Sequence, residues 1–343
     1  MKPASIRPKP FSILGIGSVP FEKGKNSCRK IFKNWDIPHW PQYPSLSPRE
    51  NFVFQFVSTF PGLTVSQDRA RFDESSFLAR EGSYRRLLRS ALRQGKLEAF
   101  EPPQDGARGW RQMKGILKAR AFPKKRLVKL QITGPGTVWN SFFKDRIRRK
   151  YHGRAKKLLG QTLLAAGLAQ IRAVQRAGKA AVIFVDEPAG PTDSSHLREM
   201  LESFKRAGAW TGFHVCSCPH WKGLAPETIG IFHFDASGTA PLGLKKISLI
   251  RRIVKRGGWV AWGIAPTFPN PRFKPTDFSE VLLKKIAKFC GRGLSQEVLL
   301  GRSLVAPACG TGTLKPAQDQ AIFRSLQKTA RSLKAKFQGS FSA

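Results

Sequence analysis

The stretch "FHVCSCPHW" (213–221) sets His214, Cys216, Cys218 and His220 at every second position. Imidazole nitrogen and thiolate sulfur are donors that zinc takes, about four of them in a tetrahedron. A His-x-Cys pair by itself also fits a buried cysteine beside a hydrogen-bonded histidine, or a Cys216–Cys218 redox pair. Cys218 and His220 fall past the apolar run and read as loop residues. The five cysteines (28, 216, 218, 290 and 309) are few and odd in number, unlike a disulfide framework. In a reducing compartment, cysteine beside histidine points to a metal or a nucleophile.

Residues two apart face the same way only on a strand, so His214 and Cys216 need one to present them. The run "WTGFHVCS" (210–217) supplies it. Seven further apolar runs resemble it: 11–18, 51–58, 126–135, 180–189, 228–237, 258–267 and 302–312. Most are dense in Val, Ile, Phe or Leu with little polar alternation, as strands buried on both faces are. Helical patterns separate most of them. One runs from Asp193 or Ser194, as cap, to Gly208. Eight such units predict an α/β fold, a closed parallel (β/α)8 TIM barrel, as a single domain over 1–343. Its core spans about 11–316, with an insertion at 95–125 before the third strand and a basic C-terminal helix at 317–337. The proline-rich "IPHWPQYP" (37–44), in an N-terminal extension, reads as a lid or a strap.

A barrel places chemistry at the carboxyl ends of its strands. There the sequence holds Gly17-Ser18, Gly134-Pro135, Asp186-Glu187, His214/Cys216, Asp235 and Cys309. Cys309 offers a third sulfur and Asp235 an oxygen, from strand ends that a barrel brings to one point. Their separation in sequence fits no finger or ribbon. Trp259 and Trp262 read as packing, Arg69 and Arg71 as solvated, and Gly310-x-Gly312 as a tight turn.

Sixty Lys+Arg against twenty-two Asp+Glu give a net charge of +38. Such a field draws polyanions. The cations are spread along amphipathic helices, including "RRLLRSALRQGK" and "KDRIRRKYHGRAKK", so nucleic acid enters as a secondary reading. No apolar run reaches the roughly 20 residues that span a membrane, and the N-terminus is a poor signal peptide. The expected localisation is cytoplasmic.

Six segments in order resemble the catalytic C-terminal barrel of cobalamin-independent methionine synthase, within the uroporphyrinogen decarboxylase/methionine synthase superfamily. They are "GIGSVP" (15–20), "LQITGPGTV" (130–138), "VDEPA" (185–189), His-x-Cys (214–216), "FDAS" (234–237) and "PACGTGTL" (307–314). The resemblance covers nearly the whole chain. It implies zinc held by His214, Cys216, Cys309 and Asp235, where the family usually has Glu. It implies Gly17 and Ser18 at an amino-acid carboxylate, Asp186 at the substrate ammonium and Glu187 beside it among the catalytic residues. The implied activity is S-methyl transfer to a zinc-activated thiol, homocysteine first, from methylfolate or a methyl-corrinoid protein. The family's strand-two Pro-Glu-Arg is absent from "FPGLTVSQDRARF", and Ile264 stands where its seventh-strand histidine falls. These departures favour the corrinoid donor. A porphyrinogen decarboxylase on the same fold and a non-enzymatic polyanion-binding barrel are the competing readings.

Overall fold

The computed structural model describes residues 6–24, 26–66, 68–119, 122, 126–190, 194–217, 221, 223–238, 243–290 and 294–338. Ahead of the main sheet lie helices α1 (Ser27–Asn34), α2 (Glu74–Gln94) and α3 (Arg108–Lys118), and a hairpin of β1 (Leu63–Val65) and β2 (Ala70–Phe72). The main sheet holds six parallel strands in sequence order: β3 (Leu127–Thr133), β4 (Ala180–Asp186), β5 (Trp210–Val215), β6 (Ile231–Asp235), β7 (Trp259–Ala265) and β8 (Ser303–Pro307). Parallel neighbours need long crossovers. Here α5 (His152–Arg176), α6 (Ser194–Arg206), α7 (Leu244–Lys255) and the pair α8 (Ser279–Phe289) and α9 (Gln296–Leu300) supply four of the five. A short turn of helix, α4 (Pro135–Val138), follows β3, and α10 (Pro316–Lys336) follows β8.

The two edges of the sheet are joined by extended chain that pairs through isolated bridges. Residues 11–14 lie along β8, with Phe11 N donating to Ser303 O (2.7 Å) and Leu14 N to Val305 O (2.9 Å). Segment 37–42 pairs with 11–19 at Leu14↔Ile37 and Ser18↔Gln42, and reaches β3 through Lys129 N to Pro38 O (2.7 Å). The expected first strand is therefore present as bridges. The expected second strand is corrected: residues 51–58 form turns, and "IPHWPQ" takes that place in the wall. Three prolines in 37–44 remove amide donors, which limits this segment to single bridges. Phe54 instead packs against Phe142, Phe56 against Trp40, and Phe60 against Phe77 and Tyr84 of α2.

Two apolar layers follow from strand alternation. Inside the curled sheet lie Leu14, Ile37, Leu127, Val182, Phe184, Ile231, Trp259, Ala261, Leu304 and Ala306. The alternate residues, among them Ile132, Ile183, Phe213, Phe232 and Trp262, pack under the helices. Both tryptophans are thus core; Trp262 Nε1 donates to Ser303 Oγ (2.9 Å). Arg69 and Arg71 are exposed on the hairpin. Helix α6 closes at Gly208 (φ 81°) as expected, while Asp193 lies outside the described residues. Among the described residues no helix is long and apolar enough to cross a membrane.

Candidate metal centre

Register decides what meets at the carboxyl end of the sheet. Thr133 pairs with Asp186, Asp186 with His214, and His214 with His233, so these four form one row across β3 to β6. Asp186, two residues beyond Phe184, shares its inward face. Cys216 follows β5 and Cys309 follows β8. The donor atoms of His214, Cys216 and Cys309 lie within 4.8 Å of one another. Cys309 Sγ stands 3.3 Å from Cys216 Sγ and 3.9 Å from His214 Nε2. Zinc bonds of about 2.3 Å to sulfur and 2.0–2.1 Å to nitrogen require tetrahedral edges of about 3.5–3.8 Å. The two edges at Cys309 bracket that range and all three donors lie within 4.8 Å, so the three residues fit a zinc ion after side-chain adjustment.

The electrostatics also suit a cation. Cys309 donates its S–H to Cys216, which lowers the Cys216 thiol well below its ordinary value, with further help from His214. Cys309, which holds that proton, is raised. Loss of the shared proton would leave Cys216 and Cys309 as two thiolates able to hold a metal.

His214 is held by a histidine that the sequence reading passed over. His233 Nε2 lies 3.0 Å from Pro307 O, an acceptor, so Nε2 carries hydrogen. Burial, with the nearby His214, pushes the His233 pKa down, so the ring is neutral and its Nδ1 is bare. That Nδ1 lies 2.6 Å from His214 Nδ1, which must donate. With its Nδ1 committed to His233, His214 presents Nε2 toward Cys309. A second hydrogen-bond partner of this kind would fix the tautomer a metal takes.

Asp235 falls outside the three-residue group. It is exposed, and its Oδ1 accepts from Ser237 N and Ser237 Oγ, both at 2.8 Å. Cys218 and His220 lie outside the described residues. Asp186 has a buried Oδ1 with no hydrogen-bond partner among the described residues, and its carboxyl is raised by burial against the pull of Lys129 and His214. Lys129 is fully buried inside the sheet; it donates to Ile16 O and is pushed down to about 8 by burial. Glu187, on the opposite face, is hydrogen-bonded to the chain after β3. Its oxygens accept from Gly136 N (2.8 Å), Thr137 N (2.8 Å) and Thr137 Oγ1 (2.5 Å) at the start of α4. Gly134 permits this, because a Cβ there would fall 2.1 Å from Glu187 Oε1.

Ser18 reaches the same end of the sheet from the N-terminal segment. Thr311 N donates to Ser18 O (2.9 Å), and a Cβ on Gly310 would fall 1.9 Å from Ser18 Oγ. Gly310 thus lets the Cys309 turn close onto Ser18. Gly17 has φ 155°, which favours glycine. Ser18, His39, Cys309 and Gly310 line one small cavity. His39 is fully buried there, with neither ring nitrogen hydrogen-bonded among the described residues.

No protein-family model matches the chain. No curated protein matches it either. Among solved structures, it is similar to a B12-independent methionine synthase from Shewanella sp. W3-18-1 in complex with selenomethionine. That likeness is 16% in identity over 65% of this chain and 67% of the other, with a TM-score of 0.43.

Proposed function

We propose that the chain is a zinc-dependent methyltransferase acting on a thiol, built on a (β/α)8 barrel whose first two positions are the bridged segments 11–19 and 37–42. The observation that carries this reading is the convergence of His214, Cys216 and Cys309, with the His214 tautomer set by His233. His214, Cys216 and Cys309 would hold the zinc, which when bound would supply a Lewis acid that favours the thiolate, the nucleophilic form of a thiol, at neutral pH. Asp235 is the proposed fourth ligand; reaching the metal would require it to give up its bonds to Ser237.

The remaining roles fall to this chain's own groups. The unpartnered Oδ1 of Asp186 accepts the ammonium of an amino-acid substrate. Ser18 and the Gly17 backbone hold its carboxylate. Together they set the thiol beside the zinc ligands, in line for a methyl group that leaves its donor as the new sulfur–carbon bond forms. Homocysteine is the proposed acceptor, and methylfolate or a methyl-corrinoid protein the donor. A cytoplasmic setting, where thiols stay reduced, suits this chemistry.

The test is elemental analysis of the purified protein beside Cys216→Ser and Cys309→Ser. The expected result is one zinc per chain, lost in both variants, with methionine formed from homocysteine and methylcobalamin or methyltetrahydrofolate by the wild type alone. Full zinc content and full methyl transfer in both variants would sink the reading.

A further inference from the structure

Two basic helical segments, far apart in sequence, lie side by side. α2 and α5 run parallel, as the contacts Glu74–Arg148, Glu81–Arg154 and Tyr84–Thr162 show in order. Between them lies a groove of about 470 Å³, lined by Arg85 and Arg89 of α2 and by Arg154, Lys157, Leu158 and Gln161 of α5. None of these lining residues is acidic; the buried Glu81, 1% exposed, is shared by two of their guanidiniums, Arg85 and Arg154. The Arg154 guanidinium also lies 5.7 Å from the Tyr151 ring centroid. Two cations are thus fixed on opposite walls, while Arg89 and Lys157 are exposed beside them.

Glu81 answers only part of this charge. Arg85, Arg89 and Arg93 follow at i, i+4 spacing along α2, where like charges repel. Residues 148–157 add Arg148, Arg149, Lys150, Arg154, Lys156 and Lys157 with no acid. A ligand carrying a row of phosphates relieves that repulsion along both walls. The groove carries cations on both walls, Arg85 and Arg89 on one and Arg154 and Lys157 on the other, as a phosphodiester chain laid along it would require. A flat lipid surface would meet only its rim.

We propose that this groove binds the phosphodiester backbone of a single nucleic-acid strand, without sequence selection. The site is independent of the metal centre. It gives part of the +38 charge a specific task.

The experiment titrates fluorescein-labelled single-stranded oligonucleotides of about 20 nucleotides, RNA and DNA, with the full chain by anisotropy. Salt runs from about 50 to about 200 mM. Arg89→Glu/Lys157→Glu is compared with Arg252→Glu/Lys284→Glu, a pair of equal net charge on exposed faces of α7 and α8. Both double variants leave Glu81 and its partners intact, and circular dichroism checks their fold. The expected result is equal binding of RNA and DNA, at least ~10-fold weaker in the groove variant and changed less than ~2-fold in the control. Loss of two phosphate contacts should also flatten the log–log salt slope by about 1.4. Equal weakening in both variants would reduce the effect to overall charge and overturn the proposal. So would absence of binding at low salt, or groove-dependent binding of phosphatidylserine vesicles without groove-dependent binding of oligonucleotide.

Discussion

His233 has both ring nitrogens engaged, one by a backbone carbonyl and one by His214. Orienting partners of this kind are worth about 10–100-fold in metal affinity. His233→Leu is therefore expected to weaken zinc binding by about that factor in a chelator competition. His233→Gln should keep most of the affinity, because its amide can accept from His214 and donate to Pro307 O. Equal affinity in wild type and His233→Leu would remove the role while leaving the zinc site standing; no zinc in the wild type would remove the site itself. The residue was accessible from the sequence. It sits two before Asp235, on the same face of the strand by period two, and the reading stopped at the acid. That it touches His214 was not accessible, because that depends on the β5–β6 register.

At the scale of elements, Glu187 ties the end of β4 to the start of α4. Burial raises its carboxyl from 4.5 to about 7, against the lowering effect of the bonds from Thr137 and Gly136. The folded pKa lies above the unfolded one, so between these values the folded state binds more protons. Its contribution to stability is then greatest below about pH 4.5, falls as pH rises through the window by at most about 1.4 kcal/mol per unit, and is flat beyond about 7. Urea unfolding across that range should show this slope in wild type and lose it in Glu187→Gln; a variant with the wild-type slope would assign the titration elsewhere. "VDEPA" marked the segment as special. The sequence did not say that Asp186 faces the site while Glu187 faces the helix, since adjacent strand residues point oppositely and the phase is set by packing. The misplaced second strand has a related cause. "NFVFQFVS" has a strand's composition, yet Phe54 packs on Phe142 and Phe56 on Trp40, while "IPHWPQ", read as a lid or a strap, bridges residues 11–19 and β3.

Over the whole molecule, sixty cations against twenty-two acids leave a self-repelling surface. Salt screens such repulsion. Raising NaCl from about 50 to about 500 mM is expected to raise the melting temperature by several degrees; a fall would mean that the surface ion pairs outweigh the repulsion. Composition, the apolar runs and their order were enough to specify parallel strands alternating with helices, and to put His214, Cys216 and Cys309 at strand ends. Those are properties of local pattern, which the chain carries residue by residue. Tertiary structure alone decided that Cys216 and Cys309, 93 residues apart, come to 3.3 Å, that Asp235 turns to Ser237, and that two basic helices share a groove. Each of these depends on curvature, register and side-chain packing, and such contacts between distant segments leave no periodic trace in the sequence.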